Sequence, residues 1–237
     1  MATNFYIDGL NFYYGAVKDT EFKWVDLEAM ARLLVPNDDI GRIKYFTAQI
    51  KPQFPGDRSQ ERQHAYLRAL KTYSHVDVQL GHFRRDVKWK PLADTDHHHS
   101  KLFAPAFLPE ADFEVLWNDN VSRRTEYATS SRIVQREEKG SDVNLGVNLV
   151  FDCLQGACDK AIVISNDTDL EQAIVLARQS GASVGVINPH RAHRTAASLR
   201  KAASFEIPFR PDTPSKCQMP AVVTNDRGKE IHKPKQW

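Results

Sequence analysis

The apolar positions of this chain fall into short runs whose period switches repeatedly between two and about three and a half residues. Residues 5–7 (Phe-Tyr-Ile) form a compact apolar run closed by Gly9 and Asn11, which predicts a short buried strand and a turn. Residues 26–34 carry helical spacing, with Asp26 as N-cap and Pro36 as the stop. Residues 43–48 alternate and predict a second strand. Residues 57–73 predict a long polar helix whose apolar positions include Ala65, Leu67, Ala69 and Leu70. Residues 76–80 alternate again and lead into Gly81-His82-Phe83.

Residues 86–136 break this rhythm. Pro91, Pro105, Pro109, the run His97-His98-His99 and scattered aromatics predict an insertion, with strand character at 113–117 and 131–135. Helix returns at 141–154. Residues 161–165 form a continuous apolar run of the kind buried in a parallel sheet. A helix over 169–179 ends at Gly181, a buried strand follows at 183–187, and residues 192–203 predict a last helix. From Pro211 onward the chain is rich in Pro and Lys and is expected to be a flexible polar tail, 210–237. Strands alternating with helices predict an α/β domain over residues 1–209 with a central, mostly parallel sheet and helices on both faces. In such sheets the site lies beyond the carboxyl ends of the strands.

That rule groups residues far apart in sequence. Asp8 and Asp167 each follow a predicted strand, and Asp142 opens a predicted helix. Carboxylates are the ligands that Mg²⁺ and Mn²⁺ prefer. A cation there can polarise a phosphoryl oxygen and activate water. Asp8, Asp142 and Asp167 are the candidate metal ligands and Asp169 a further acid. Asn11 is a candidate hydrogen-bonding partner, and Asn148 a neutral candidate for the shell. Taken singly, an Asp is more often a turn former or an N-cap than a ligand.

Composition narrows the picture further. The chain has 237 residues, 41% hydrophobic, enough for a substantial core, and a net charge of only +2. Binding to nucleic acid would therefore rest on local clusters of cations. These are Arg84 and Arg85 with Lys88 and Lys90, Arg123-Arg124, and His190-Arg191-Ala192-His193-Arg194. The last is expected at a helix start, where backbone N–H groups favour phosphate. Arg62, one turn before Tyr66, is a further candidate substrate contact. Trp89 and Tyr127 are candidates for stacking on an unpaired base. Three Cys without CxxC spacing fit a reducing cytoplasm. The chain opens on a strand, so no signal peptide is expected, and no apolar stretch is long enough for a membrane span. The His97–His99 run lacks the spacing of known zinc sites. Asp167-Thr168-Asp169 also reads as a DxD string, a signal for nucleotidyl or glycosyl transfer.

Five segments in order carry a resemblance: Ile7-Asp8-Gly9-Leu10-Asn11, residues 62–70, Gly81-His82-Phe83, Lys139-Gly140-Ser141-Asp142-Val143-Asn144-Leu145 and Ser165-Asn166-Asp167-Thr168-Asp169-Leu170. Together they resemble the NYN domain, a branch of the PIN-like ribonuclease superfamily. The resemblance covers residues 5–209. It implies a three-layer α/β/α fold and a Mg²⁺- or Mn²⁺-dependent endoribonuclease acting on single-stranded or structured RNA rather than DNA. It matches Asp8, Asp142 and Asp167 to the metal site, Asp169 to an auxiliary acid, and Asn11 to a polar partner. Lys139 matches a basic residue near the scissile phosphate. Asn148 stands where the family usually has Asp, and Asn166 where it has Gly. The first departure keeps a second expectation open, an NYN module that binds RNA, a protein partner or a second copy of itself without cutting.

Overall fold

The computed structural model describes residues 2–52, 54–91, 115–116, 130–235 and 237. These divide into two compact units, Met1–Phe83 with Glu138–Trp237, and Arg84–Glu137.

The larger unit is a three-layer α/β/α arrangement around a parallel sheet. Its strands are β1 (Ala2–Asp8), β2 (Asp39–Ala48), the first half of β3 (Val76–Pro91), β6 (Lys160–Ile164), β7 (Ser183–Ile187) and β8 (Phe205–Glu206). Their order is β3-β2-β1-β6-β7-β8, and each neighbouring pair is parallel. The direction of winding therefore reverses between β1 and β6, which opens a crevice at their carboxyl ends.

Alternation along β1 assigns its side chains to two cores. Phe5 and Ile7 face a cluster shared with α2 (Leu27–Leu34) and α3 (Ser59–Leu70), including Trp24, Met30, Tyr66 and Leu70. Tyr6 faces the opposite cluster with Leu145 and Leu149 of α4 (Ser141–Leu154), Ile174 of α5 (Glu171–Gln179) and Leu199 of α6 (Ala197–Ala202). Asp26 caps α2, its carboxylate accepting from the Ala29 N–H at 2.9 Å, as its position before the apolar run predicts. After β1 the chain winds into α1 (Gly9–Phe12) and then a π-helical turn, Tyr13–Val17. Among the described residues no helix is long and apolar enough to cross a membrane.

The smaller unit contains the second half of β3, the short β4 (Val115–Leu116) and most of β5 (Ser130–Lys139), with β4 and β5 antiparallel. The strand predicted over 76–80 thus continues to Pro91, past the start of the predicted insertion at 86. The expectations for His97–His99, Arg123, Arg124 and Tyr127 fall outside the described residues.

The expected flexible tail is instead packed. Residues 210–237 form α7 (Thr213–Lys216) and a hairpin of β9 (Val222–Thr224) and β10 (Glu230–His232). Cys217, Met219 and Ile231 are buried in the α2/α3 core. The Trp24 indole N–H donates to the Pro220 carbonyl at 2.8 Å. The composition of this segment is polar, but Cys217, Met219, Val223, Ile231 and Trp237 pack on the core while Val222 stays exposed. Each such side chain contributes about 1.5–3 kcal/mol on burial, enough to order a short segment.

Candidate metal centre

The site is built on the β1/β6 edge. Ile7 pairs with Ile164, so the residues that follow, Asp8 and Ser165, emerge side by side. The Ser165 hydroxyl donates to Asp8 Oδ2 at 3.0 Å and accepts from the Asp167 N–H at 3.1 Å. The other oxygen of Asp8 accepts from the Asn11 N–H at 2.9 Å and so caps α1. Burial pushes the Asp8 carboxyl up to about 6 against these two hydrogen bonds, and the charges of Asp167 and Glu138 add to the rise.

Three carboxylates converge beside it. One oxygen from each of Asp142, Asp167 and Asp169 lies within 4.8 Å of the others. Asp167 caps the 3₁₀ turn Thr168–Leu170, its Oδ1 accepting from the Asp169 N–H at 3.1 Å. This brings two acids two residues apart to one place. Asp142 lies in the first turn of α4, where Gly140, at φ +90°, turns the chain out of β5. The close approach also needs Gly81: a Cβ there would sit 2.7 Å from the Lys139 carbonyl and 2.9 Å from Glu138 Oε1.

Glu138 is a site residue that the sequence reading missed. It accepts from the Ser141 N–H at 3.2 Å and from the Ser141 hydroxyl, and its charge reaches Asp8. A Glu three residues before a Ser at a helix start is the only signal it leaves in the sequence. Ser165 was likewise missed, because its role depends on which strand lies beside β6.

Asn11 acts as a bracket. Its Oδ1 accepts from the Asn166 backbone N–H at 3.0 Å, and His190 Nε2 lies 3.0 Å from the same oxygen. Because the backbone donor fixes that atom as oxygen, His190 Nε2 carries a proton and donates. Burial, and then His193, holds the His190 ring below its usual pKa. Asn166 accepts through Oδ1 from the Ala196 N–H at 2.8 Å and fastens the loop that follows β7.

Two expectations need correction here. The helix predicted over 192–203 begins only at Ala197, so His190 to Arg194 lie in a loop and the phosphate argument from a helix start fails. Arg191 donates through Nη2 to the Ala16 carbonyl at 2.7 Å and to the Pro211 carbonyl at 3.4 Å, while Arg194 is exposed. Asn148 is no shell residue. Its Oδ1 accepts from Lys44 Nζ at 2.9 Å and Gln79 Nε2 at 3.2 Å. Its Nδ2 donates to Gln79 Oε1 at 3.1 Å and the Asn144 carbonyl at 2.9 Å. All four of its hydrogen-bonding positions are filled. Asp152, one turn on, pairs with Lys44 at 2.7 Å and accepts from the Tyr6 hydroxyl at 2.7 Å.

Lys139 is exposed at the end of β5, two residues before α4, and Arg62 lies on α3. Arg84 pairs with Asp86 at 2.7 Å within the smaller unit, and Trp89 is exposed there. The side chain of Arg85 lies outside the described residues.

No protein-family model matches the chain. A curated relative, 6-hydroxy-3-succinoylpyridine 3-monooxygenase HspA of Pseudomonas putida (strain DSM 28022 / S16), is 27% identical over 261 aligned positions, which cover 100% of this chain and 75% of that protein. A solved structure, a protein of unknown function VPA0982 from Vibrio parahaemolyticus RIMD 2210633, is similar to it at a TM-score of 0.48 and 15% identity. That likeness covers 89% of this chain and 94% of the other.

Proposed function

We propose that this protein is a metal-dependent endoribonuclease that hydrolyses RNA phosphodiester bonds at the β1/β6 crevice. The observation that carries the reading is the convergence of Asp142, Asp167 and Asp169 within 4.8 Å, backed by Asp8. Ligands on one octahedral ion at about 2.0–2.2 Å stand roughly 3–4.4 Å apart, so this donor set suits Mg²⁺ or Mn²⁺. The charges that raise Asp8 also call for a counter-ion. Asp142, Asp167 and Asp169 would hold the cation, which when bound supplies Lewis-acid activation of phosphate and water. Ser165 and the Asn11 N–H keep Asp8 fixed behind them, so its charge adds to the field without moving. Asn11 and His190 lock the β6 turn that presents Asp167. Lys139 is assigned to the phosphate next to the cleaved bond, and the products carry 3′-hydroxyl and 5′-phosphate ends. Three free, buried cysteines support action in the reducing cytoplasm.

A labelled RNA incubated with Mn²⁺ tests this. Cleavage by the wild type that is lost in Asp142→Asn and Asp167→Asn is the expected result. A wild type that cuts nothing, or variants that cut equally well, would end the nuclease reading.

The similarity to HspA, which spans this chain and three quarters of that protein, favours a second reading, oxygenation of a substituted pyridine. An aromatic-walled cleft beside Gly9 supports it as well. Turnover of such a pyridine without RNA cleavage would select this reading.

A further inference from the structure

A cleft of about 480 Å³ runs along Gly9 and Leu10, the residues that directly follow Asp8. That size suits a ligand of nucleotide dimensions. Its walls are aromatic, formed by Tyr13, Tyr14, Tyr45, Tyr66 and Trp237. Tyr45 ties the cleft to the acidic centre. Its hydroxyl reaches the Gly9 carbonyl at 3.4 Å, and the charge of Asp8 reinforces the burial that keeps it protonated. Gly9 makes this proximity feasible, since a Cβ there would meet the Tyr45 ring at 2.6 Å. The rings of Tyr66 and Trp237 lie 5.8 Å apart with planes 32° from parallel. The Trp237 indole N–H is buried without an acceptor among the described residues. A buried donor without a partner is costly, and a ligand with ring acceptors would satisfy it.

The charges decide what kind of aromatic ligand fits. Lys18, Lys23, Lys51 and Arg62 line the cleft against Asp19 alone. Arg62 also lines an adjoining groove formed by α3, the end of β10 and the segment after it, with Arg58, Arg68, His232, Lys233 and Lys235 against Glu61. A small aromatic acid needs one cation beside its ring. A file of cations leading away from an aromatic cleft matches a chain of phosphates instead.

We propose that the cleft is a base-binding subsite for single-stranded RNA, and that the α3 groove carries the phosphates flanking that base. The inference rests on the nuclease reading only in taking the strand as substrate. Stacking on Tyr13 and Trp237 requires an unpaired base, so the subsite selects against duplex.

The test is fluorescence anisotropy of a short labelled oligouridylate in EDTA, where binding is read without cleavage. A ribose-phosphate chain of equal length without bases, and pyridine-3-carboxylate, serve as comparison ligands. The chain without bases is expected to bind about tenfold more weakly, within the range of one lost stack. Pyridine-3-carboxylate is expected not to displace the RNA. Trp237→Ala should weaken oligouridylate but not the chain without bases, while Trp237→Phe, which keeps an aromatic ring but removes the indole N–H, should bind oligouridylate with an affinity between those of Trp237→Ala and the wild type. Lys233→Gln with Lys235→Gln should lower the slope of log affinity against log salt by about 1.4, two phosphate contacts. Thermal melting checks that each variant is folded.

Equal affinity for the chain without bases, an unchanged salt slope, or capture of pyridine-3-carboxylate in place of RNA would each overturn the proposal. The pattern found without Mn²⁺-dependent cleavage would keep the subsite and remove the nuclease. Cleavage and binding unaffected by these variants would keep the nuclease and remove the subsite.

Discussion

Ser165 Oγ donates to Asp8 Oδ2 at 3.0 Å across the β1/β6 edge, joining two residues 157 positions apart where the parallel sheet of the larger unit reverses its winding. This bond stabilises the charged form of Asp8, yet burial outweighs it and the carboxyl still sits at about 6.

A stability profile follows from that shift. Between the unfolded value of 3.8 and about 6, the folded protein holds a proton that the unfolded chain has released. Metal-free stability therefore falls as pH rises through this window, by up to about 3 kcal/mol for a two-unit shift. Thermal melts in EDTA across this range should show the fall, and Asp8→Asn should flatten it. Ser165→Ala removes a bond to the charged form and should extend the fall to higher pH. A wild-type profile that rises over the same window would contradict the assignment.

Removing an acid from the convergent trio should act on metal binding before it acts on folding. In Asp169→Asn, isothermal titration with Mn²⁺ should give an affinity at least about tenfold weaker, and cleavage should drop about a hundredfold, near 3 kcal/mol of transition-state stabilisation. For the wild type, free Mn²⁺ at about 100 times Kd should add about 2.7 kcal/mol of stability. An unchanged melting temperature at saturating Mn²⁺ would argue against a resident cation.

Introducing an acid at Asn148 should not help. The amide is already held by Lys44 and Gln79, so Asn148→Asp would pair with Lys44 and compete with Asp152 for it. Cleavage is expected to change by less than about twofold, because the new charge is engaged away from the converging acids. Lys44→Met is the sharper perturbation. It leaves the buried Asp152 with only the Tyr6 hydroxyl and should cost about 3–5 kcal/mol in urea unfolding.

The C-terminal segment should behave as core. Ile231→Asp places a charge among Trp24, Met30 and Tyr66, and should destabilise by more than about 3 kcal/mol. Truncation after Arg210 should yield a poorly folded product, seen as lost cooperativity in melting. A truncated chain with the wild-type melting temperature would return this segment to the status of a tail.

Much of the frame was legible because it depends on local periodicity. The α/β alternation, the Asp26 cap, the α4 limits and the strand over 183–187 follow from hydrophobic spacing and turn residues alone. The same spacing misled where burial was contributed by distant partners. Helix α4 carries apolar residues on two faces. Leu145 and Leu149 face the core while Val143, Val147, Phe151 and Leu154 are exposed, and composition could not tell the two faces apart. The segment after Pro211 looked polar because only a few of its residues are apolar, and the pairing that turns Val223 and Ile231 to the core exists only once the hairpin forms.

By itself, then, the sequence determined which residues could end strands as acids: Asp8, Asp142, Asp167 and Asp169 all stand at turns or helix starts fixed by their neighbours. Tertiary structure decided their ranking. It brought Asp142, Asp167 and Asp169 together, bonded Asp8 to Ser165 within reach of the charges of Asp167 and Glu138, and engaged Asn148 with Lys44. The reason is that side-chain convergence depends on which strands become neighbours. That choice is set by packing the two faces of the sheet, and no local stretch of sequence encodes it.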